Sequence, residues 1–354
     1  MMSEDAAIHL DNLKDALIQF ARQFKPGRDS DINYGPYLRD LLIHTATNYE
    51  KLKEELDDIP EIEYKSLYIF LPGNVPMVFF EVLPISVIFN IKTFFKYPRN
   101  EKRLYDAFIT YLSSKYSVYE SFFKGQYMGH LEAERKIDQF DFVFFFGSEN
   151  LLPILQRTGK PFKFFGPGYS IGIAFSYINE DFVRDVLYFD QQGCLSMKFL
   201  FYQKPGIREY TIKTFKSLSS LIPPTNEFSK DRFLYKLLSA SRYGEILYQS
   251  EDSAIIEMHE DTLPDTTLPD RTLILKQIHR EEDIPGFLGQ KSSLIQAIAT
   301  AEPLKLKLLK SYASFITDFG RLQYQPYNFF FKKGVNLHNI FREDNNDYKM
   351  AENI

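Results

Sequence analysis

Leu10, Leu13, Leu17 and Phe20 recur every three to four positions in an otherwise polar stretch, placing them on one stripe of a helix over residues 5–25. Residues 36–56 carry the same periodicity. After the acidic link "DDIPEIEYK", the pattern changes. "SLYIFLPGNVPMVFFEVLPISVIF" is a short apolar run, a Pro-Gly-Asn-Val-Pro break and a long apolar segment, which reads as strand, loop and helix. "NIKTFFKYPRNEKRLYDAFITYLSSKY" and "FDFVFFFGSENLLPILQRT" each give another strand followed by a helix, and "KPFKFFGPGYSIGIAFSYI" adds two more strand candidates. Strands this uniformly apolar are covered on both faces, as in parallel sheets. The alternation over 66–158 therefore predicts a doubly wound α/β domain.

From about residue 166 a second α/β lobe is expected: a helix at "NEDFVRDVLYF", a turn, a strand "MKFLFYQ" and two helices between 206 and 241. Residues 250–270 are acidic and proline-containing, with the internal echo "TLPDTTLPD", and read as a solvated loop or protruding arm. "RTLILKQI" resumes strand character, "SLIQAIATAEPLKLKLLKSYASFI" reads as helix, and "NNDYKMAENI" as a frayed tail. The expected division is 1–165 (leading helices and dinucleotide-type domain), 166–320 (second domain) and 321–354 (C-terminal segment and tail).

Composition narrows the function classes. Aromatic residues make up 16% of the 354, so a large core can be buried. The net charge of -5 gives no general attraction to nucleic acid or anionic lipid, and any polyanion must meet a local patch. The most apolar stretch is interrupted by Glu81 and Pro84 and falls short of the ~20 residues of a membrane span. The N-terminus lacks the pattern of a secretory signal, so a cytoplasmic protein is expected. One cysteine forms no internal disulfide, and six scattered histidines lack ligand-like spacing, so no metal is expected.

That cysteine, Cys194, lies in "YFDQQGCLSM", among polar, turn-forming residues rather than within an apolar strand. Such a setting suits an accessible nucleophile, but free cysteine is also among the most buried residue types, and composition alone favours an inert thiol. Asn74, in "LPGNVPM", stands where an apolar strand ends. It either shapes a turn or offers a side-chain amide to a developing oxyanion. Gly147 and Ser148, in "FFFGSEN", form an ordinary strand-to-helix turn or present amides to a phosphate. Lys92, Lys96, Arg99, Lys102 and Arg103 are a solvated helix start or a cationic patch.

Taken in order, strand-"LPGNVP"-helix, "NIKTFFKYPRNE", "FFFGSEN", "KFFGPGYSIGIAF" and "FDQQGCLS" resemble the acyl-CoA reductase component of bacterial luminescence systems, the LuxC-type branch of the aldehyde dehydrogenase superfamily. The resemblance spans roughly residues 65–340, with "DQQGCLS" its most specific element. It implies Cys194 as the catalytic thiol and Asn74 as the oxyanion amide. Lys96, Arg99, Gly147 and Ser148 would be dinucleotide contacts, with NADPH as cofactor. The implied activity is reduction of a fatty acyl-CoA or acyl thioester to the aldehyde. The alternative is a non-reductive acyl-carrying or scaffold subunit, which would keep Cys194 and discard the cofactor site. Where hydrolytic relatives carry a water-activating glutamate, "FFGPGYS" places Phe165 or Gly166. The resemblance also implies a homo-oligomer and an acyl-activating partner protein, with the 250–270 arm as a contact.

Overall fold

A computed structural model describes residues 2–25, 34, 37–73, 75–148, 152–225, 229–263, 268–329 and 334–342. The chain forms two compact units, Met1–Pro167 with Pro326–Ile354, and Gly168–Gln325.

In the first unit, the leading helices α1 (Met2–Gln23) and α2 (Tyr37–Leu52) pack on each other, with Leu10, Leu13, Leu17 and Phe20 buried. There follow β1 (Ser66–Phe70), α3 (Met77–Ile88), β2 (Lys92–Tyr97), α4 (Lys102–Lys115), α5 (Tyr119–Phe122), β3 (Phe123–Tyr127), α6 (His130–Lys136), β4 (Phe142–Phe146), α7 (Leu152–Thr158) and β5 (Phe162–Phe165). All five strands are parallel, in the order β3-β2-β1-β4-β5. Every residue of β4 and β5 is buried, because both faces of the sheet are covered. Phe79 of α3 and Tyr105 of α4 stack at 4.3 Å on one side. On the other, Tyr68, Phe70, Val143 and Phe145 meet Ala133 and Ile137 near α6 and Leu152 and Leu155 of α7. Phe341 packs on Phe142 and Phe144, which ties the C-terminal stretch to this unit. The expected doubly wound sheet is present, with a short polar edge strand, β3, added to it.

The second unit contains β6 (Tyr169–Ala174), α8 (Phe182–Leu187), β7 (Met197–Tyr202), α9 (Pro205–Leu218), α10 (Lys230–Ala240), β8 (Gly244–Gln249), β9 (Ala254–Met258), β10 (Thr272–Gln277), α11 (Asp283–Leu288), β11 (Ile295–Ala299) and β12 (Phe315–Thr317). Its seven-stranded sheet has the order β12-β11-β6-β7-β10-β9-β8, with only β8 antiparallel to its neighbour. Two expectations are corrected. Residues 250–270 are not a solvated arm throughout, since Ala254–Met258 form a fully buried strand between β10 and β8. The acidic flanks hide five residues that the sheet needs. "SLIQAIATAEPLKLKLLKSYASFI" is not a helix: Ile295–Ala299 pair in parallel with β6 and β12, and short 3-10 turns follow Pro303. Burial between two strands outweighs the local helical preference of a short run. The expected tail at 345–354 lies outside the described residues. Among those residues, no helix is long and apolar enough to cross a membrane.

Candidate active site

Cys194 stands between α8 and β7, half-buried, at the amino edge of the second unit's sheet. The approach to it is unusual. Phe189, Asp190 and Gln191 adopt successive left-handed conformations, with φ of 53°, 53° and 60°. Each costs a non-glycine residue about 1 kcal/mol or more, so the surroundings must hold them.

Three side chains do so. Gln191 is fully buried; its amide donates to the carbonyls of Met197 at 2.6 Å and Thr272 at 2.8 Å, and accepts from the Thr272 N–H at 2.9 Å. One side chain thus ties the turn to neighbouring strands β7 and β10. Asp190 accepts from the Thr225 N–H and hydroxyl and pairs with Arg271 at 3.1 Å. Arg271 is entirely buried, has φ of 57°, and also donates to Ile222 O at 2.6 Å and to Asp252. Beyond the cysteine, the Ser170 hydroxyl donates to Cys194 O at 3.1 Å, and the Ser196 N–H closes a turn onto Gly193 O at 3.0 Å.

Sequence reasoning missed these supports. The Asp190–Arg271 pair joins positions 81 residues apart, with no local signal linking them. Lys198 was also missed: its ammonium donates to Gln191 O and faces Asp270 at 3.7 Å, and burial pushes its pKa down to about 8.

The carboxylates nearest Cys194 in sequence are already engaged. Asp190 is held as above. Asp185 is buried beneath the backbone N–H groups of Gly320 and Leu322, at 2.6 and 3.0 Å, and burial pushes its pKa up to about 8. It is therefore mostly neutral at pH 7.

The other sequence candidates belong to the first unit. Strand order reverses direction between β1 and β4, whose carboxyl ends are the crevice where open parallel sheets bind ligands. Lys96 lies in register with Phe70 at the end of β1, and Phe70 in turn with Phe145, next to the end of β4. Gly147 follows β4, its N–H donating to Phe165 O at 3.3 Å, and Ser148 is exposed. A Cβ at Gly147 would lie 2.8 Å from the Phe145 ring, so the close turn admits only glycine without a shift. The structure thus brings Lys96, Gly147 and Ser148 to one sheet edge. Arg99, two residues past β2, is exposed. Asn74 lies outside the described residues.

This edge fits the phosphates of a dinucleotide. Lys96 is half-buried, its ammonium has no hydrogen-bond or ion-pair partner among the described residues, and burial lowers its pKa from the ordinary lysine value. A desolvated, unpaired ammonium at the carboxyl ends of parallel strands matches an anionic group. The five-stranded order itself suits a dinucleotide.

No protein-family model and no curated protein sequence matches the chain. Solved structures do. An oxidoreductase from Marinobacter aquaeolei aligns with a TM-score of 0.72 at 11% identity over 96% of this chain and 84% of that one. An NAD-dependent aldehyde dehydrogenase from Sinorhizobium meliloti gives 0.68 at 12%, over 90% and 74%. Succinic semialdehyde dehydrogenase from Streptococcus pyogenes, in complex with NADP+, gives 0.63 at 13%, over 90% and 85%. The chain has an aldehyde dehydrogenase-like α/β fold, built from a parallel sheet and a second, mixed sheet.

Proposed function

We propose that the protein is a nicotinamide-dependent oxidoreductase acting at the aldehyde level, and specifically a reductase of long-chain fatty acyl-CoA or a related acyl thioester. The observation that carries this reading is the sole cysteine, half-buried, three residues past a strained left-handed turn that Gln191, Asp190 and Arg271 anchor, in an aldehyde dehydrogenase-like fold. Backbone strain held by a dedicated network belongs with function rather than packing.

Cys194, as thiolate, attacks the thioester carbon; the new C–S bond forms as the bond to the CoA sulfur breaks, and the CoA thiolate leaves. Asn74 and the Cys194 N–H are the donors assigned to the tetrahedral oxyanion. Gly147, Ser148, Lys96 and Arg99 would hold the dinucleotide, the two cations suiting the additional phosphate of NADPH. A nicotinamide cofactor bound there, NADPH in this proposal, would supply the hydride equivalent needed to bring the acyl carbon to the aldehyde oxidation level. Departure of the aldehyde returns the sulfur of Cys194 to its starting state. Asp185 and Asp190, both engaged, offer no ready base to activate water against the thioacyl group, and Phe165 or Gly166 replaces the glutamate of hydrolytic relatives. The thioacyl enzyme therefore persists long enough to be reduced.

Purified protein mixed with a long-chain fatty acyl-CoA and NADPH should consume cofactor absorbance and release free CoA thiol. Cys194→Ala should abolish both, and Asn74→Ala should slow turnover by about 10²-fold or more. Turnover surviving in Cys194→Ala refutes the mechanism.

A further inference from the structure

The net charge of -5 offers anionic surfaces nothing in general, yet residues 230–242, "KDRFLYKLLSASR", carry Lys230, Arg232, Lys236 and Arg242 against a single acid, Asp231. This segment is α10 and the turn after it. Phe233, Leu237 and Ala240 face the core, buried against the sheet. The opposite side is also apolar: Tyr235 is 74% exposed and Leu238 66%, with Leu234 beside them. Tyr235 and Leu238 add little to the fold, because the inward residues already make its contacts, while Leu234, 39% exposed, leaves only its outer part to solvent. Lys230 pairs with Glu251, but both are exposed and the pair is weak.

We infer that α10 is a docking surface for an anionic lipid bilayer, into whose headgroup region Leu234, Tyr235 and Leu238 insert while the flanking cations meet lipid phosphates or carboxylates. The helix carries the features of an interfacial helix: an apolar ridge, an aromatic residue with a polar tip, and long cationic side chains on either side. Charge complementarity selects the occupant, because Lys230, Arg232, Lys236 and Arg242 still outnumber Asp231 and the neighbouring Glu251, a local cationic excess on an acidic protein. A lipid surface requires no matching groove, whereas an apolar ridge docking on protein does. The inference does not depend on the chemistry proposed for Cys194.

The full-length protein should sediment with vesicles of mixed phosphatidylserine and phosphatidylcholine and not with phosphatidylcholine alone, and salt should release it. Tyr235→Ser with Leu238→Ser should weaken binding by about tenfold or more, since buried apolar area is lost. Arg232→Gln with Arg242→Gln should weaken it by about fivefold for each cation removed. All four side chains are exposed, and both double variants should melt with the wild type. The proposal is overturned by failure to bind anionic vesicles at low salt, or by binding that neither pair of substitutions changes. A wild-type dimer that Tyr235→Ser with Leu238→Ser converts to monomer also overturns it, by showing that a second copy covers the surface.

Discussion

Replacing Arg271 by methionine keeps most of the side-chain volume and removes the charge. The guanidinium is fully buried and donates to Asp190 at 3.1 Å, to Asp252 at 3.4 Å and to the carbonyls of Ile222 and Leu187. Without it, the Asp190 carboxylate, 4% exposed, is left without its counter-charge. Stranding one member of a buried pair costs about 3–5 kcal/mol, a large share of the roughly 5–15 kcal/mol that stabilises a domain. Urea unfolding measures the loss. Adding Asp190→Asn should recover at least about 1 kcal/mol, because it removes the stranded charge. A second readout is specific to the turn: Cys194 is the only cysteine, so the rate of iodoacetamide labelling reports its environment without background. In the still-folded Arg271→Met protein that rate should change, because the left-handed turn at 189–191 loses its anchor. A stability loss below about 1 kcal/mol refutes the claim that the pair anchors the turn, as does an unchanged labelling rate alongside a large loss.

Two further substitutions test the first unit. Glu101 is buried, accepts a hydrogen bond from the Tyr34 hydroxyl, and has its pKa pushed from 4.5 up to about 7 by burial. Its contribution is present at low pH and lost as pH rises through about 7, by up to about 3 kcal/mol. Melting temperatures of the wild type should therefore fall relative to those of Glu101→Gln between about pH 5 and pH 8, and parallel curves would contradict this. Lys96→Met should move two properties in opposite directions, raising stability by removing a desolvated, unpaired ammonium while weakening NADPH binding by about tenfold or more. Thermal melts and fluorescence titration separate the two.

Most of the first unit was readable because β1 and β4 are apolar nearly throughout: four or five apolar residues in a row between turn signals leave little choice of element, whereas the polar edge strand β3 gives no such signal. The second unit was less so. Ala254–Met258 is as buried as any strand, but it lies among acids that belong to the loops around it. Ile295–Ala299 is too short for its period to be read, and only pairing with strands far away in sequence makes it a strand. The candidate site divides in the same way. Cys194 was conspicuous for its uniqueness and polar surroundings. What fixes it, Asp190 to Arg271 and Gln191 to Thr272, depends on contacts across 81 residues that only the folded sheet creates. The left-handed backbone at Phe189–Gln191 carries no glycine to announce it.

The most direct test of the central claim is intact-protein mass spectrometry after incubation with a long-chain fatty acyl-CoA in the absence of NADPH. The account predicts one added acyl group, located on Cys194, formed with equimolar release of CoA and discharged on addition of NADPH. An unmodified protein, or the same adduct on Cys194→Ala, would contradict it.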